Sequence, residues 1–176
     1  MYCSNLHSVN DNLILAESFP EKLSEFEFFL DDSAQLPNDK VIPYELISTL
    51  FSDYSYKQRW VYVPGNKKAK YVENWVFDFP TGSALIKTFY YPVDERAPEL
   101  GKQLLETRLL LRKESGWEAV SYAWNEEQNE AYKKLPAKLS MQNGQILWGK
   151  KRQFDIEFPM LINVKNVMMQ MTRLAR

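Results

Sequence analysis

Residues 104–124 read LLETRLLLRKESGWEAVSYAW, and this stretch decides the fold. Alternate positions of Leu104–Arg112 fall on opposite faces of a strand. One face takes Leu105, Thr107, Leu109 and Leu111, and the other takes Glu106, Arg108, Leu110 and Arg112. The turn formers Glu114-Ser115-Gly116 separate this segment from the aromatic segment Trp117–Trp124. The stretch therefore predicts an antiparallel hairpin.

Further β-prone segments lie on both sides of this hairpin, separated by Pro-Gly, Thr-Gly and Asn-Gly turn signals. We predict strands at Arg59–Val63, Trp75–Phe79, Ala84–Tyr91 and Gln145–Trp148. No helix-length connection separates most of them, which favours antiparallel pairing. The sequence predicts a mainly β protein, an antiparallel β-sandwich or partly closed barrel with a few short helices. An α+β fold is the alternative.

The remaining segments complete the expected organisation. Residues 1–18 are polar and predict a flexible N-terminal segment, and 19–159 predict a single β-rich domain. Within that domain the apolar spacing predicts a short helix over Glu21–Leu30, and the polar stretch Asn125–Leu135 predicts a short surface helix. Residues 160–176 form an atypical C-terminal tail.

Composition excludes several functional classes. The 176 residues carry a net charge of −1, which argues against a nucleic-acid partner. No apolar run reaches the length of a transmembrane segment, and no signal peptide is visible. Cys3 and His7 are the only soft metal ligands, so we predict no metal site and no cofactor bound by this chain. Cys3 can be read as the remnant of a lipoprotein cysteine, or as an incidental thiol.

Charged residues within the predicted strands form the first candidate site. Lys87, Glu106 and Arg108 interrupt apolar strands, so they can form a structural charge network, or an anion- or partner-binding patch. The carboxylates of Asp53, Asp78, Asp94 and Glu95 are candidates for acid–base chemistry, but their spacing fixes no pair.

Aromatic residues form the second candidate site. Trp117, Tyr122 and Trp124 are concentrated in one segment and can provide an aromatic binding surface for a sugar or a protein if they are exposed. Buried, they would be ordinary core residues, and burial is the commoner outcome.

The tail changes composition abruptly after Pro159. Met160–Met171 contains four methionines and no aromatic residue. Its codons can also be read in a shifted frame, in which each new codon joins the third base of one original codon to the first two bases of the next. From the Pro159-Met160 junction that reading can encode Asn-Ala-Asn-Gln-Cys-Lys-Lys-Cys-His-Asp-Ala. This peptide contains Cys-x-x-Cys-His, the attachment motif of c-type haem.

Several long motifs carry a family resemblance. They include Pro43-Tyr44, Leu50-Phe51-Ser52-Asp53-Tyr54, Phe77-Asp78-Phe79-Pro80-Thr81-Gly82, Lys87-Thr88-Phe89-Tyr90-Tyr91-Pro92, Leu105-Glu106-Thr107-Arg108 and Tyr122-Ala123-Trp124-Asn125. From about Glu21 to Pro159 the chain resembles uncharacterised bacterial dihaem c-type cytochromes, in the region ahead of their haem motif. In that family a Phe/Val-Pro pair leads into Asn-x-Asn-Gln-Cys-x-x-Cys-His. Here Phe158-Pro159 matches, and then the in-frame match stops.

The resemblance implies an electron-transfer context, a periplasmic or cell-envelope location, and haem c in full-length relatives. The leading hypothesis is a non-catalytic accessory domain of a c-type cytochrome-like protein, whose haem-binding segment is missing from this chain. Its partner would be a redox protein or a haem-bearing domain. The alternative is an extracellular carbohydrate- or protein-binding β module, and a carboxylate-based hydrolase is the third hypothesis.

Overall fold

The computed structural model describes residues 8–46, 55–73 and 76–134. A short helix, α1 (Asp11–Leu15), precedes a small hairpin of β1 (Phe29–Asp31) and β2 (Leu36–Pro37). The remaining strands are β3 (Val41–Pro43), β4 (Tyr56–Tyr62), β5 (Ala84–Pro92), β6 (Lys102–Lys113), β7 (Gly116–Trp124) and β8 (Ala131–Lys133). Two 3₁₀ turns occur, at Leu23–Phe26 and Pro98–Leu100.

Strands β3 to β8 form one six-stranded antiparallel sheet in chain order. The predicted mainly β class, antiparallel with few short helices, is confirmed. The sheet does not close on itself, since β3 and β8 are its two edges. Predicted strands at Ala84–Tyr91, Leu104–Arg112 and Trp117–Trp124 lie within β5, β6 and β7, and Arg59–Val63 lies mostly within β4.

One face of the sheet, here called the core face, packs against the N-terminal residues. Its buried cluster joins strand residues to residues from before the sheet: Val9, Ile14, Leu23, Phe26, Phe28, Phe29, Trp60, Ile86, Leu109, Leu111, Tyr122 and Trp124. The structure differs from the expected flexible segment over residues 8–18, because the Ile14 side chain is fully buried. The Tyr62 hydroxyl also donates a hydrogen bond of 2.7 Å to Asp11.

The predicted helix over Glu21–Leu30 is wrong. Only Leu23–Phe26 is helical, as a 3₁₀ turn, and Glu27 at φ 57° ends it in the left-handed region. Phe26 and Phe28 both stack in the core, with ring centroids 5.2 Å apart. That spacing of two residues is incompatible with one face of an α-helix, so aromatic burial outweighs local helix propensity.

The predicted surface helix over Asn125–Leu135 is also wrong for the part that the structure describes. The Asn125 side-chain oxygen accepts hydrogen bonds from the backbone N–H groups of Asn129 and Glu130, which builds a turn. Strand β8 follows and pairs with β7. Asparagine side chains compete in this way with helical hydrogen bonding.

An irregularity in β6 corrects the predicted faces of that strand. The pairing of β5 with β6 shifts between Phe89 and Tyr90, which pair with Glu106 and Leu104. One residue, Leu105, is therefore extra, as in a β-bulge. Leu104 enters the core with 2% of its surface exposed, while Leu105 is only half-buried. Thr107, Leu109 and Leu111, which alternation predicts on one face, are all buried.

Several predictions fall wholly or partly outside the described residues. They concern Gln145–Trp148, Asp53, Cys3, His7 and the tail 160–176. Of the predicted strand Trp75–Phe79, residues 76–79 form only one isolated bridge, between Asp78 and Lys70. The bounds of the predicted domain at 19–159 stay a prediction.

Candidate functional site

The face of the sheet opposite the core face, here called the second face, is divided into two halves. In the apolar half, Val61, Leu85 and Leu110 pack beneath Phe79 and the preceding loop. The Pro80-Thr81-Gly82 turn leads into β5, and a Cβ on Gly82 would lie 3.0 Å from Pro64 Cγ. Gly82 also has φ 94°, so glycine is required where the loop closes against the sheet.

The other half carries a row of cations. Arg59, Lys87 and Arg108 lie directly opposite one another on β4, β5 and β6. Lys57 lies in the next row of the same face, opposite Phe89. We call Lys57, Arg59, Lys87 and Arg108 the basic patch. Because like charges directly opposite each other destabilise a sheet, such a row needs compensating interactions.

Phe89 provides one of these interactions. The Lys87 ammonium and the Arg108 guanidinium each lie 4.6 Å from the centre of its ring. Both cations contact the electron-rich ring face, which favours them by roughly 0.5–2 kcal/mol each. The ring is 2% exposed, so these contacts occur away from bulk water.

Glu106 provides the second compensating interaction. Its carboxylate accepts a 2.8 Å hydrogen bond from Arg108 Nε and lies 3.4 Å from Lys134 Nζ. Burial alone would raise the pKa of Glu106, but the hydrogen bond and charge of Arg108, with Lys134 and Ser121, hold that pKa below its ordinary value. Glu106 therefore stays ionised and neutralises part of the basic patch.

Arg59 and Lys87 lack a comparable partner among the described residues, where no carboxylate forms an ion pair with either. Arg59 is 9% exposed, and burial lowers the pKa of its guanidinium, while the nearby phenol of Tyr44 offsets part of that effect. Burial, reinforced by Arg59, Arg108 and Lys57, lowers the pKa of Lys87 to about 8. Two cations thus lie in a low-dielectric setting that disfavours their charge.

The predicted network of Lys87, Glu106 and Arg108 is therefore brought together on one face of the sheet. Glu106 binds Arg108 directly, whereas Lys87 contacts Glu106 only through longer-range charge. Sequence reasoning missed Arg59 and Lys57. Alternation along β4 places both on one face, but only the register of β4 against β5 shows which face they share with Lys87.

The three residues of the predicted aromatic surface do not form one surface. Tyr122 is fully buried and Trp124 is 9% exposed, both in the core face. Trp117 packs on the second face, edge-on to Phe79 with ring planes at 78°. The hypothesis of an exposed aromatic surface is wrong, because strand alternation separates Trp117 from the other two residues.

The described aromatic rings nearest to Trp117 also do not form a flat platform. Tyr71 meets Phe77 at 68°, and Phe77 meets Phe79 at 58°. Rings tilted in this way pack against each other as a small core. A sugar ring stacks on coplanar exposed rings, and this cluster of the described chain presents none.

The described carboxylates proposed for acid–base chemistry do not converge. Asp78 precedes β5 and forms a backbone bridge with Lys70. Asp94 follows β5, where its ion pair and backbone hydrogen bond with Arg96 lower its pKa. Nine residues of extended β5 separate the two ends by about 30 Å. Glu95 lies beside Asp94 in the same turn.

Comparisons with known proteins complete the description. No protein-family model matches the chain, and no curated protein or solved structure is significantly similar to it. Within the described ranges, no group of three or more His, Cys, Asp or Glu side chains is placed to hold a metal ion. The helices of those ranges are all too short or too polar to cross a membrane.

Proposed function

We propose that the chain is a non-catalytic accessory domain of a c-type cytochrome-like electron-transfer protein, in the periplasm or cell envelope. Its role is to dock a redox partner or a haem-bearing domain. The single observation that supports this role is the basic patch, in which three cations cross the sheet in one row beside one carboxylate. An acidic partner surface is the electrostatic complement of such a row.

The motifs that carry the family resemblance give independent support. Lys87, Phe89, Glu106 and Arg108 all belong to those motifs, and they meet in the basic patch. Glu106 pairs with Arg108 and Lys134, whereas Arg59 and Lys87 form no ion pair with a carboxylate among the described residues. An acidic partner would supply the carboxylates that Arg59 and Lys87 lack among the described residues.

The gene provides the first test of the cytochrome relationship. We expect the frame shifted by one base after the Pro159 codon to encode Cys-x-x-Cys-His and to stay open beyond it. A shifted frame that closes within a few codons, without that motif, would contradict the relationship. The protein-binding module would then be the better assignment.

A frame-restored protein provides the second test. Expressed with the machinery for c-type haem maturation, it should carry covalent haem, seen as a Soret band and by haem staining of a denaturing gel. The unaltered chain is the control and should show neither. Covalent attachment needs two thiols and an axial histidine, which the proposed shifted frame would supply and residues 8–134 do not contain.

A further inference from the structure

The centre of the basic patch differs from the core face in how its polar groups are satisfied. On the core face, most buried polar groups find partners among the described residues, although the side-chain oxygen of Gln58 has none. Thr107 Oγ1 lies 2.8 Å from Thr88 Oγ1 and accepts a 3.0 Å hydrogen bond from Trp124 Nε1. Arg59 and Lys87 differ, since neither forms an ion pair with a carboxylate of the described residues, and Glu106 acts on Lys87 only through longer-range charge. Burying cations without an anion is costly.

The geometry of the row defines what could bind there. Directly opposite residues of neighbouring antiparallel strands have Cα atoms about 4.5–5.5 Å apart. Arg59 and Lys87 are such a pair, so their charged ends can approach one small anion from two strands. A guanidinium presents paired N–H donors and an ammonium presents a compact charge, and both suit the oxygens of a carboxylate or phosphate.

We propose that Arg59 and Lys87 form a binding site for a compact oxyanion, a carboxylate or phosphate group presented by a ligand or partner. Arg108 holds the far side of the site through its cross-strand position beside Lys87. The hydrogen bond from Arg108 to Glu106 holds the Arg108 guanidinium in place. The Phe89 ring contacts the charged groups of Lys87 and Arg108. The proposed docking function bears on this inference only in suggesting that a partner protein presents the oxyanion.

Thermal unfolding of the full chain tests the site with defined probes. Phosphate and citrate are each titrated against sodium chloride of equal ionic strength. With a dissociation constant on the order of 1 mM, about 20 mM of anion should raise the unfolding midpoint by about 4 °C. A rise with both probes shows that the site accepts either oxyanion. A rise with phosphate alone assigns a phosphate-bearing ligand, and a rise with citrate alone assigns partner carboxylates.

Matched variants locate the effect. Lys87→Met and Arg59→Gln should each reduce the anion-dependent rise at least about threefold, since each removes one of two direct contacts. Lys68→Met removes an equal charge from an exposed loop and should leave the rise unchanged. If one of the two site variants fails to fold, the other still tests the site.

Two results would overturn the proposal. One is a midpoint that follows ionic strength alone, with phosphate, citrate and chloride equivalent. The other is an anion effect that all three variants retain. Neither result bears on the gene sequence, so the site and the cytochrome relationship fail independently.

Discussion

Two rows of residues, one position apart on the same strands, show how differently the two faces of the sheet are used. Trp60, Ile86 and Leu109 pair across β4, β5 and β6 on the core face. Arg59, Lys87 and Arg108 pair across the same strands on the second face. The first row is buried under residues of this chain, which stabilises the sheet. The second row places like charges directly opposite one another, which opposes folding unless other interactions compensate.

The comparison separates stability from function. Polar groups on the core face, such as the Tyr122 hydroxyl that donates to the Pro20 carbonyl, are mostly satisfied within the chain. Arg59 and Lys87 form no ion pair with a carboxylate among the described residues. Such cations are costly to bury, and binding of an anion would give them a role.

Leu109→Ala should break the core row and have the largest effect. Leu109 is 1% exposed, so truncation leaves a cavity and costs about 3–4 kcal/mol of unfolding free energy. Urea denaturation measures the loss. Leu110→Ala, in the half-buried apolar half of the second face, is the matched control and should cost about 1 kcal/mol. Equal losses would contradict the assignment of the core to one face.

Glu106→Gln should break the compensation within the basic patch. It removes the carboxylate bound by Arg108 and Lys134, and we expect a loss of about 2–3 kcal/mol at pH 7. Because the folded pKa of Glu106 is lowered, its stabilising contribution is present above the ordinary pKa of 4.5 and is lost as pH falls through the folded value. The difference between wild type and variant should therefore shrink in acid.

The ion pair of Lys113 and Glu118 supplies the control for that result, because Lys113 keeps the Ala16 carbonyl and the Phe19 ring as partners when Glu118 is changed. The Glu118 side chain is 39% exposed, and its carboxylate lies 2.9 Å from Lys113 Nζ. Glu118→Gln removes the charge of that carboxylate. Its loss should cost less than about 1 kcal/mol. Chemical denaturation at pH 7 compares the two variants, and a larger cost for Glu118→Gln would refute the role given to Glu106.

Thr107→Val should show that the core face depends on internal hydrogen bonds. The change removes the acceptor of Trp124 Nε1 and the partner of Thr88, and we expect a loss of about 2 kcal/mol. Thr107→Ser keeps the hydroxyl and should recover about half of that loss. A valine variant as stable as wild type, with the serine variant less stable, would mean that the methyl group matters and the hydroxyl does not.

Lys87→Met should have the smallest effect and the opposite sign. The folded pKa of Lys87 is lowered to about 8 from an ordinary 10.5, so the folded state disfavours its charge below pH 8. Without an added anion, the variant should exceed wild type in unfolding free energy by about 1 kcal/mol at pH 7. Between pH 8 and 10.5 the unfolded state binds the extra proton, so wild-type stability rises and the gap closes.

Denaturation of both proteins at pH 7 and pH 9.5 measures that gap. A variant less stable than wild type at pH 7 in anion-free buffer would show that Lys87 is a stabilising member of the network. The row would then be a structural feature rather than a binding site.

Part of this picture was predictable from the sequence, and part depended on tertiary pairing. Alternation and turn signals predicted that β6 and β7 pair as antiparallel strands and that Thr107, Leu109 and Leu111 share one face. The same alternation did not predict the shift at Phe89, which moved Leu104 into the core in place of Leu105. Bulges depend on how two strands meet, and neither strand encodes them alone.

The candidate site shows the same division. Lys87, Glu106 and Arg108 were predictable because charges interrupt strands that are otherwise apolar. Arg59 and Lys57 were not, since their sides of the sheet follow from the register of β4. The aromatic residues misled in the same way, because Trp117 and Tyr122 are five positions apart and so lie on opposite faces.

The most direct test of the account is the titration of the Lys87 ammonium by NMR, with and without added phosphate. Assignment uses Lys87→Met. Without phosphate we expect a pKa of about 8, because burial and the neighbouring cations disfavour the charge. With phosphate the pKa should rise, since a bound anion favours the ammonium. A pKa near 10.5 that phosphate does not change would contradict the account, because Lys87 would then be an ordinary solvated lysine.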